Sequence, residues 1–484
     1  PVTPDFVNPE APWPHLDNLA RETALSGKLL HERLTIYPRY LQDADTWLDK
    51  NLRAPLLEQV DASGMPREDD WLTGSSDTAP KATLELLKRP AAKPSKKLSA
   101  VFEKSKNGEC LSEADIVALF DARGEDFAAV CQFADELRRK VNGETVSYVV
   151  TRNINYTNIC YFKCQFCAFS KGKLSENLRG KPYDLDAAEI SRRCTEAWDR
   201  GATEVCMQGG IHPEYTGKTY LDIVKTVKAV TPNMHVHAFS PLEVWQGAET
   251  LGISVADFLR QLKAAGLDTL PGTAAEVLDD EVRAQICPDK INSAQWLEVM
   301  EQAHLQGFKT TATIMFGHVD SAKHWARHLL KVLALQKKTS GFTEFVPLPF
   351  VAQEAPLYLK GKARLGPTFR ESLLMHAVAR IVFHGHIDNI QASWVKMGEQ
   401  GVLACLQAGV NDLGGTLMNE TITRAAGASH GQETGPKEME ARITQANRLP
   451  RQRNTCYGDA DSAQKEKAWK NIPLTEVVNT SASK

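Results

Sequence analysis

The chain has 484 residues, 42% hydrophobic and 24% charged, with a formal net charge of −3. That length exceeds one typical domain, although a single α/β barrel with additions uses most of it. The near-neutral charge excludes nucleic-acid binding carried by bulk electrostatics, and no apolar run reaches the roughly 18 residues of a membrane span.

Residues 1–80 carry Trp13, Trp47 and Trp71 and short apolar clusters around Leu29, Leu30 and Leu34, but no chemical motif, so they are expected to lie outside any active site. The stretch KRPAAKPSKK, residues 88–97, has the prolines and charges of an exposed linker. From 98 to 146 the apolar spacing predicts a two-helix preface, with Ile116, Leu119 and Phe120 on one face and Phe127, Val130, Phe133 and Leu137 on the next. A strand-and-helix rhythm then runs from 147 to 430. About eight β-rich segments, each but the last followed by a helical one, predict a (β/α)8 barrel of the TIM type. No G-x-G-x-x-G follows the first strand, which disfavours a dinucleotide-binding open sheet. Residues 431–457 are expected to pack a helix over the barrel mouth, and 458–484 to form a disordered tail.

The first barrel strand runs into YTNICYFKCQFCAFS, residues 156–170, which holds Cys160, Cys164 and Cys167 in C-x3-C-x2-C spacing with Phe166 before the third cysteine. Three thiolates so close can hold three irons of a [4Fe–4S] cube and leave the fourth iron open, whereas electron carriers use four cysteines. A structural zinc site needs four ligands. Cys164 and Cys167 make one close pair, and none of the other cysteines supplies a second beside Cys194, Cys206, Cys287, Cys405 and Cys456, which are scattered singly. A cluster of this kind favours a reducing, intracellular setting, expected to be cytoplasmic.

Further candidates fall along the later strands. Gln208, Gly209 and Gly210 end the second; glycines there let backbone approach a ligand, although a tight turn uses them equally. His235 and His237 alternate on the third strand, as a proton relay or as core histidines. Thr313 and Gly317 lie on the fifth strand, with Glu344 and Pro347 on the sixth. Asp388, Asn389, Gln391, Asn411 and Asp412 form a polar set suited to a substrate rich in hydroxyl and amide groups, some of them serving as caps or structural hydrogen bonds instead.

The cysteine stretch resembles that of the radical S-adenosylmethionine (SAM) superfamily. That resemblance implies SAM bound at the open iron, its methionine amino group on Gly209 and Gly210, and its adenine flanked by Thr313–Gly317 and Val346–Leu348. RNINYTNICYFKCQFCAFSKGK, MQGGIHP and LPGTAAEVLDDEVRAQICPDK are similar to one subgroup, which holds the tyrosine-using half of FO synthase and two futalosine-pathway enzymes. The FO synthase member is the better match. Residues 1–87 resemble the region joining the halves of fused FO synthases, and the other half, with its own cysteine triplet, has no counterpart in this sequence. The resemblance implies a transferase that reductively cleaves SAM to a 5′-deoxyadenosyl radical, which takes hydrogen from the amino group of L-tyrosine. Cα–Cβ cleavage then gives a 4-hydroxybenzyl radical that adds to 5-amino-6-(D-ribitylamino)uracil. It further implies a flavodoxin- or ferredoxin-like electron donor and a cyclising FO synthase half. A futalosine-type reaction, or a non-catalytic iron–sulfur carrier or docking subunit, are the alternatives.

Overall fold

The computed structural model describes residues 14–41, 43–89, 93–170 and 181–475. Its strands are β1 (Thr145–Val149), β2 (Thr151–Ile154), β3 (Glu204–Met207), β4 (His235–Ala238), β5 (Thr269–Leu270), β6 (Lys309–Phe316), β7 (Phe342–Pro349), β8 (Asn389–Ile390), β9 (Asp412–Gly415) and β10 (Leu449–Arg453). Strands β2 to β8 form a seven-stranded sheet in chain order, all parallel. Strands β1 and β2 are one run interrupted at Val150, and β1 carries β9 on one edge. On its other side β9 meets the end of β8, where Asn411 N donates to Ile390 O at 3.2 Å and Ala392 N to Asp412 O at 3.0 Å. The ring therefore closes with eight strand positions, a TIM-like α/β barrel.

Capped helices return the chain between strands. Ser240 with Glu243, Asn292 with Gln295 and Thr368 with Glu371 each make reciprocal capping boxes, which satisfy the orphan N–H groups of a first turn. Helix Phe369–Val382 is buried along its whole length, as a helix clad on every side must be. Its cover comes from the preface, which has three helices (Lys96–Lys106, Glu113–Phe120 and Glu125–Asn142) where the spacing predicts two, and from the N-terminal segment. Asp61 and Arg370 pair at 3.0 Å, Glu371 accepts from Ala62 N at 2.7 Å, and Trp71 packs edge-on against Phe369. Residues 60–79 thus pack into the barrel's outer layer. Of the expected linker, Lys88 ends a helix and Lys96 starts the next, while residues 90–92 lie outside the described ones. No helix among the described residues is long and apolar enough to cross a membrane.

The C-terminal region departs from expectation. It does not cover the mouth at the C-terminal strand ends; β10 lies parallel to β1 and the chain after it plugs the opposite end. Arg453 there holds Asp412 at 2.6 Å and Glu344 at 3.2 Å, Tyr457 donates to Glu344, and Thr455 donates to Glu204 at 2.6 Å. The expected tail also contains a helix, Ser462–Trp469. Its Gln464 donates to Trp198 O and Ala202 O at 3.2 and 3.0 Å; residues 476–484 of that tail lie outside the described ones.

Two carboxylates, Asp412 and Glu344, share one guanidinium in this plug. Burial pushes the Glu344 carboxyl up to about 7 from 4.5, with Arg453 opposing and Asp412 assisting the rise. The stabilising protonated form is fully present below about pH 4.5 and lost as pH rises through about 7. Glu344→Gln is therefore expected to flatten the fall in stability across that window in urea titrations. Arg453→Met, which strands buried carboxylates, should cost about 3–5 kcal/mol.

Candidate active site

The barrel's first strand leaves Ile154 through Asn155, Tyr156 and Thr157 and enters the cysteine loop. Two contacts seat that loop on the turn after β3: Gly210 N donates to Thr157 O at 2.8 Å and Tyr161 N to Ile211 O at 3.1 Å. A Cβ on Gly209 would lie 2.3 Å from the Tyr156 ring, and one on Gly210 would lie 2.3 Å from Ile159 O. Both glycines are therefore required by packing alone, whatever else they touch. On its other flank the loop is held by Gln165 N to Ile286 O at 2.8 Å and Lys163 N to Asp289 Oδ2 at 2.9 Å. Leu357 N closes the set, donating to Gln165 O at 2.7 Å.

This seating presents Cys160, Cys164 and Cys167 to a cavity of about 410 Å³ at the C-terminal ends of the strands. All three thiols are free and half-buried. Burial pushes the Cys164 and Cys167 thiols up, so their thiolates need a strong positive partner. A metal-ligating role supplies one. Phe162, Phe166, Met315, Leu348, Phe350 and Leu417 give the cavity an apolar wall. Asn153, Gln208, Thr273, Thr313, Gln391 and Ser393 place polar groups around it, the composition of a small-molecule site.

Five charged residues also line the cavity. Glu243 is fully buried and its carboxyl is raised by that burial; Ser240, Tyr156 and Gly209 N all donate to it. Glu276 pairs with Lys290 at 2.8 Å, and Lys290 lies 5.4 Å from the centre of the Phe166 ring. Burial opposes the Lys290 charge, but Glu276 and the nearby Cys164 raise its pKa on balance. Glu420 is committed to Thr423 N at 2.7 Å and Arg424 N at 3.3 Å. Lys396 forms no ion pair among the described residues, and burial lowers its ammonium to about 8.

Of the residues singled out in the sequence, the structure brings Cys160, Cys164, Phe166, Cys167, Gln208, Gly209, Gly210, Thr313 and Gln391 to this cavity. The others lie elsewhere. Gly317 turns the chain after β6, where its N–H bonds Asp320 at 3.0 Å, and Leu348 rather than Pro347 faces inward, since strand neighbours point to opposite sides. His235 and His237 both bond Thr269 Oγ1 at 2.7 Å. Glu344 and Asp412 belong to the plug around Arg453. Asp388 O and Asn411 Oδ1 accept from Arg380 at 2.7 and 2.6 Å, and Asn389 accepts from Asn411 at 2.9 Å. The polar residues among these share one reason for their placement. Glu344 sits near the start of β7, Asn389 starts β8 and Asp412 starts β9, so these polar groups mark N-terminal strand ends, opposite the mouth.

Sequence reasoning missed Tyr156, Glu243, Glu276, Lys290 and Lys396. The capping pattern Ser240–Glu243 and the stretch ICPDK carried a signal for two of them, Glu243 and Lys290. Nothing in the sequence marks Lys396, which lines the cavity two residues before Gly398, where φ 68° interrupts the helix.

A parallel barrel with three free thiols at its C-terminal mouth defines a radical SAM type of architecture. Consistent with it, the Radical SAM superfamily profile matches residues 154–332 and a CofH/MqnC C-terminal region profile matches 339–466. Methylornithine synthase, at TM-score 0.55 and 18% identity, covers 76% of this chain and 99% of that one, a likeness of fold. The 5-amino-6-(D-ribitylamino)uracil–L-tyrosine 4-hydroxyphenyl transferase of Methanocaldococcus jannaschii is 46% identical over 350 residues, 72% of this chain and 96% of the relative. FO synthase of Streptomyces coelicolor is 42% identical over 498 residues, 95% of this chain, and the chain spans 57% of that relative's length. The chain belongs to the radical SAM family that contains these two proteins.

Replacement of Gly210 by Ala is expected to displace the cysteine loop, because Ile159 O cannot yield by a rotamer change. After anaerobic reconstitution, iron bound per chain should fall sharply in Gly210→Ala, and in alanine variants of Cys160, Cys164 or Cys167. Cys405→Ala, which removes a buried thiol beside His376 of a neighbouring helix and away from the cavity lining, should keep its iron.

Proposed function

We propose that this chain cleaves the Cα–Cβ bond of L-tyrosine and transfers the 4-hydroxybenzyl group to 5-amino-6-(D-ribitylamino)uracil. The observation that carries this reading is the 46% identity across 96% of the Methanocaldococcus jannaschii transferase. Cys160, Cys164 and Cys167 would hold a [4Fe–4S] cluster, a fit supported by three unpaired thiols in one loop at a cavity mouth. The bound cluster and SAM supply a reductively generated 5′-deoxyadenosyl radical.

The chain's own residues do the rest. The apolar wall around Met315, Leu348 and Phe350 excludes water and stray hydrogen donors from the reacting atoms. Lys396 offers an ammonium to the tyrosine carboxylate. Asn153, Gln391 and Ser393 sit on the neighbouring strand ends, where they serve the hydroxyl and amide groups of the second substrate, in place of the Asn411 and Asp412 set expected from sequence. A flavodoxin- or ferredoxin-like protein would deliver the electron, and a cyclising FO synthase half would take up the product.

Anaerobic turnover with mass-spectrometric product analysis tests the reading. Coupled product is expected only with tyrosine and the ribitylaminouracil together. The C-terminal profile spans CofH and MqnC alike, so futalosine-pathway substrates form the second arm; turnover of those alone would sink the proposal. Lys396→Met should raise the KM for tyrosine about tenfold or more, from the ~1.5–3 kcal/mol of a hydrogen bond to a charged group, with SAM binding unchanged. Since its ammonium sits at about 8, tyrosine affinity should fall as pH rises through that value, and the fall should vanish in the variant.

A further inference from the structure

Lys290 and Glu276 are an ion pair whose side chains are only 7% and 11% exposed. Both line the same cavity as the three thiols. Lys290 reaches the loop over Phe166, the residue between Gln165 and Cys167. The segment that carries Lys290 also grips the loop backbone, through Ile286 O and the Asp289 carboxylate. Stability does not explain the pair. Taking two charges out of water costs about what their attraction returns, and a well-packed apolar replacement is often as stable. Glu276 is held in addition at φ 45°, a left-handed conformation that non-glycine residues adopt under constraint and that collects at functional sites.

We propose that this pair sets the reduction potential of the iron–sulfur cluster held by Cys160, Cys164 and Cys167, Lys290 favouring the reduced state and Glu276 opposing it. The inference rests on the cluster assignment above and is independent of the substrate. A cluster that gains an electron gains negative charge. A fixed cation beside it stabilises that charge and a fixed anion destabilises it, most strongly where water screens little, and net charge around a cluster is one of the levers on its potential. Neither residue is catalytic in this account; both act through the cluster as positioning residues.

The test is an EPR-monitored redox titration of the full chain, reconstituted anaerobically and free of SAM and substrate, with iron and sulfide measured on each sample. K290M is expected to lower the potential and E276Q to raise it. Each shift should be at least a tenfold change in the one-electron equilibrium constant, or 59 mV. The double variant should return towards the unaltered chain, and K290R should stay close to it. Shifts of the same sign in K290M and E276Q overturn the proposal, because a loosened loop has no reason to answer to the sign of a charge. An unshifted E276Q with a full iron load overturns it as well, even where K290M loses its cluster. Unaltered potentials beside intact turnover would dismiss this inference alone. A chain that assembles no cluster would dismiss the assignment beneath it.

Discussion

The cavity depends on how closely two pieces of backbone lie together. Ile159 O and the Tyr156 ring occupy the space that side chains on Gly210 and Gly209 would need. The chain leaving the first strand can therefore hydrogen-bond directly to the turn after β3. That contact fixes where the cysteine loop begins. The Ile286 and Asp289 contacts fix its far side, so a loop with no regular structure of its own is set by three neighbouring elements. A metal site built on a loop needs such support, since ligand positions are only as well defined as the backbone behind them.

The same ring of strands separates two kinds of buried polarity. At the C-terminal ends, charges border a cavity, and the Lys396 ammonium forms no ion pair among the described residues. At the N-terminal ends, Glu204, Glu344 and Asp412 are consumed by Arg453, Thr455 and Tyr457 from the chain after β10 and its last residue. The guanidinium also lies 4.0 Å from the centre of the Tyr457 ring. A barrel interior must be filled or bridged at both ends, and buried carboxylates are tolerated only with partners. The C-terminal segment supplies those partners. It is a closure for the barrel floor, not a lid.

Much of this was legible in the sequence, for identifiable reasons. The cysteine spacing is local, so its placement at a strand end could be read from eight residues. The glycine stops and capping boxes are also local, and the helices between strands followed from them. Polarity along a strand does not by itself report which end of the strand it marks. Asn411 and Asp412 read as late-strand polar groups, yet Asp412 is the first residue of β9 and Asn411 the one before it. The floor network was hidden for a different reason. Arg453 meets Asp412 and Glu344 across separations of 41 and 109 residues, and no periodicity reports such a pairing. Lys290 and Lys396 were missed likewise, since only the assembled cavity distinguishes an inward lysine from a solvated one.

The N-terminal segment makes the last link between scaffold and site. Gly74 N donates to Lys396 O at 2.7 Å, and Ser429 N donates back to Gly74 O at 2.8 Å. Gly74 itself, at φ 80°, would place a Cβ 2.9 Å from that of Ala428, so its neighbours leave no room for a side chain. A segment with no chemical motif thereby holds the backbone of Lys396 and of a residue six positions beyond Thr423, and Lys396 and Thr423 both line the cavity. Removing residues 60–79 would uncover helix Phe369–Val382 and release Lys396 together. The segment's lack of reactive residues is therefore no measure of its distance from the chemistry. It acts by fixing the position of an ammonium that forms no ion pair among the described residues.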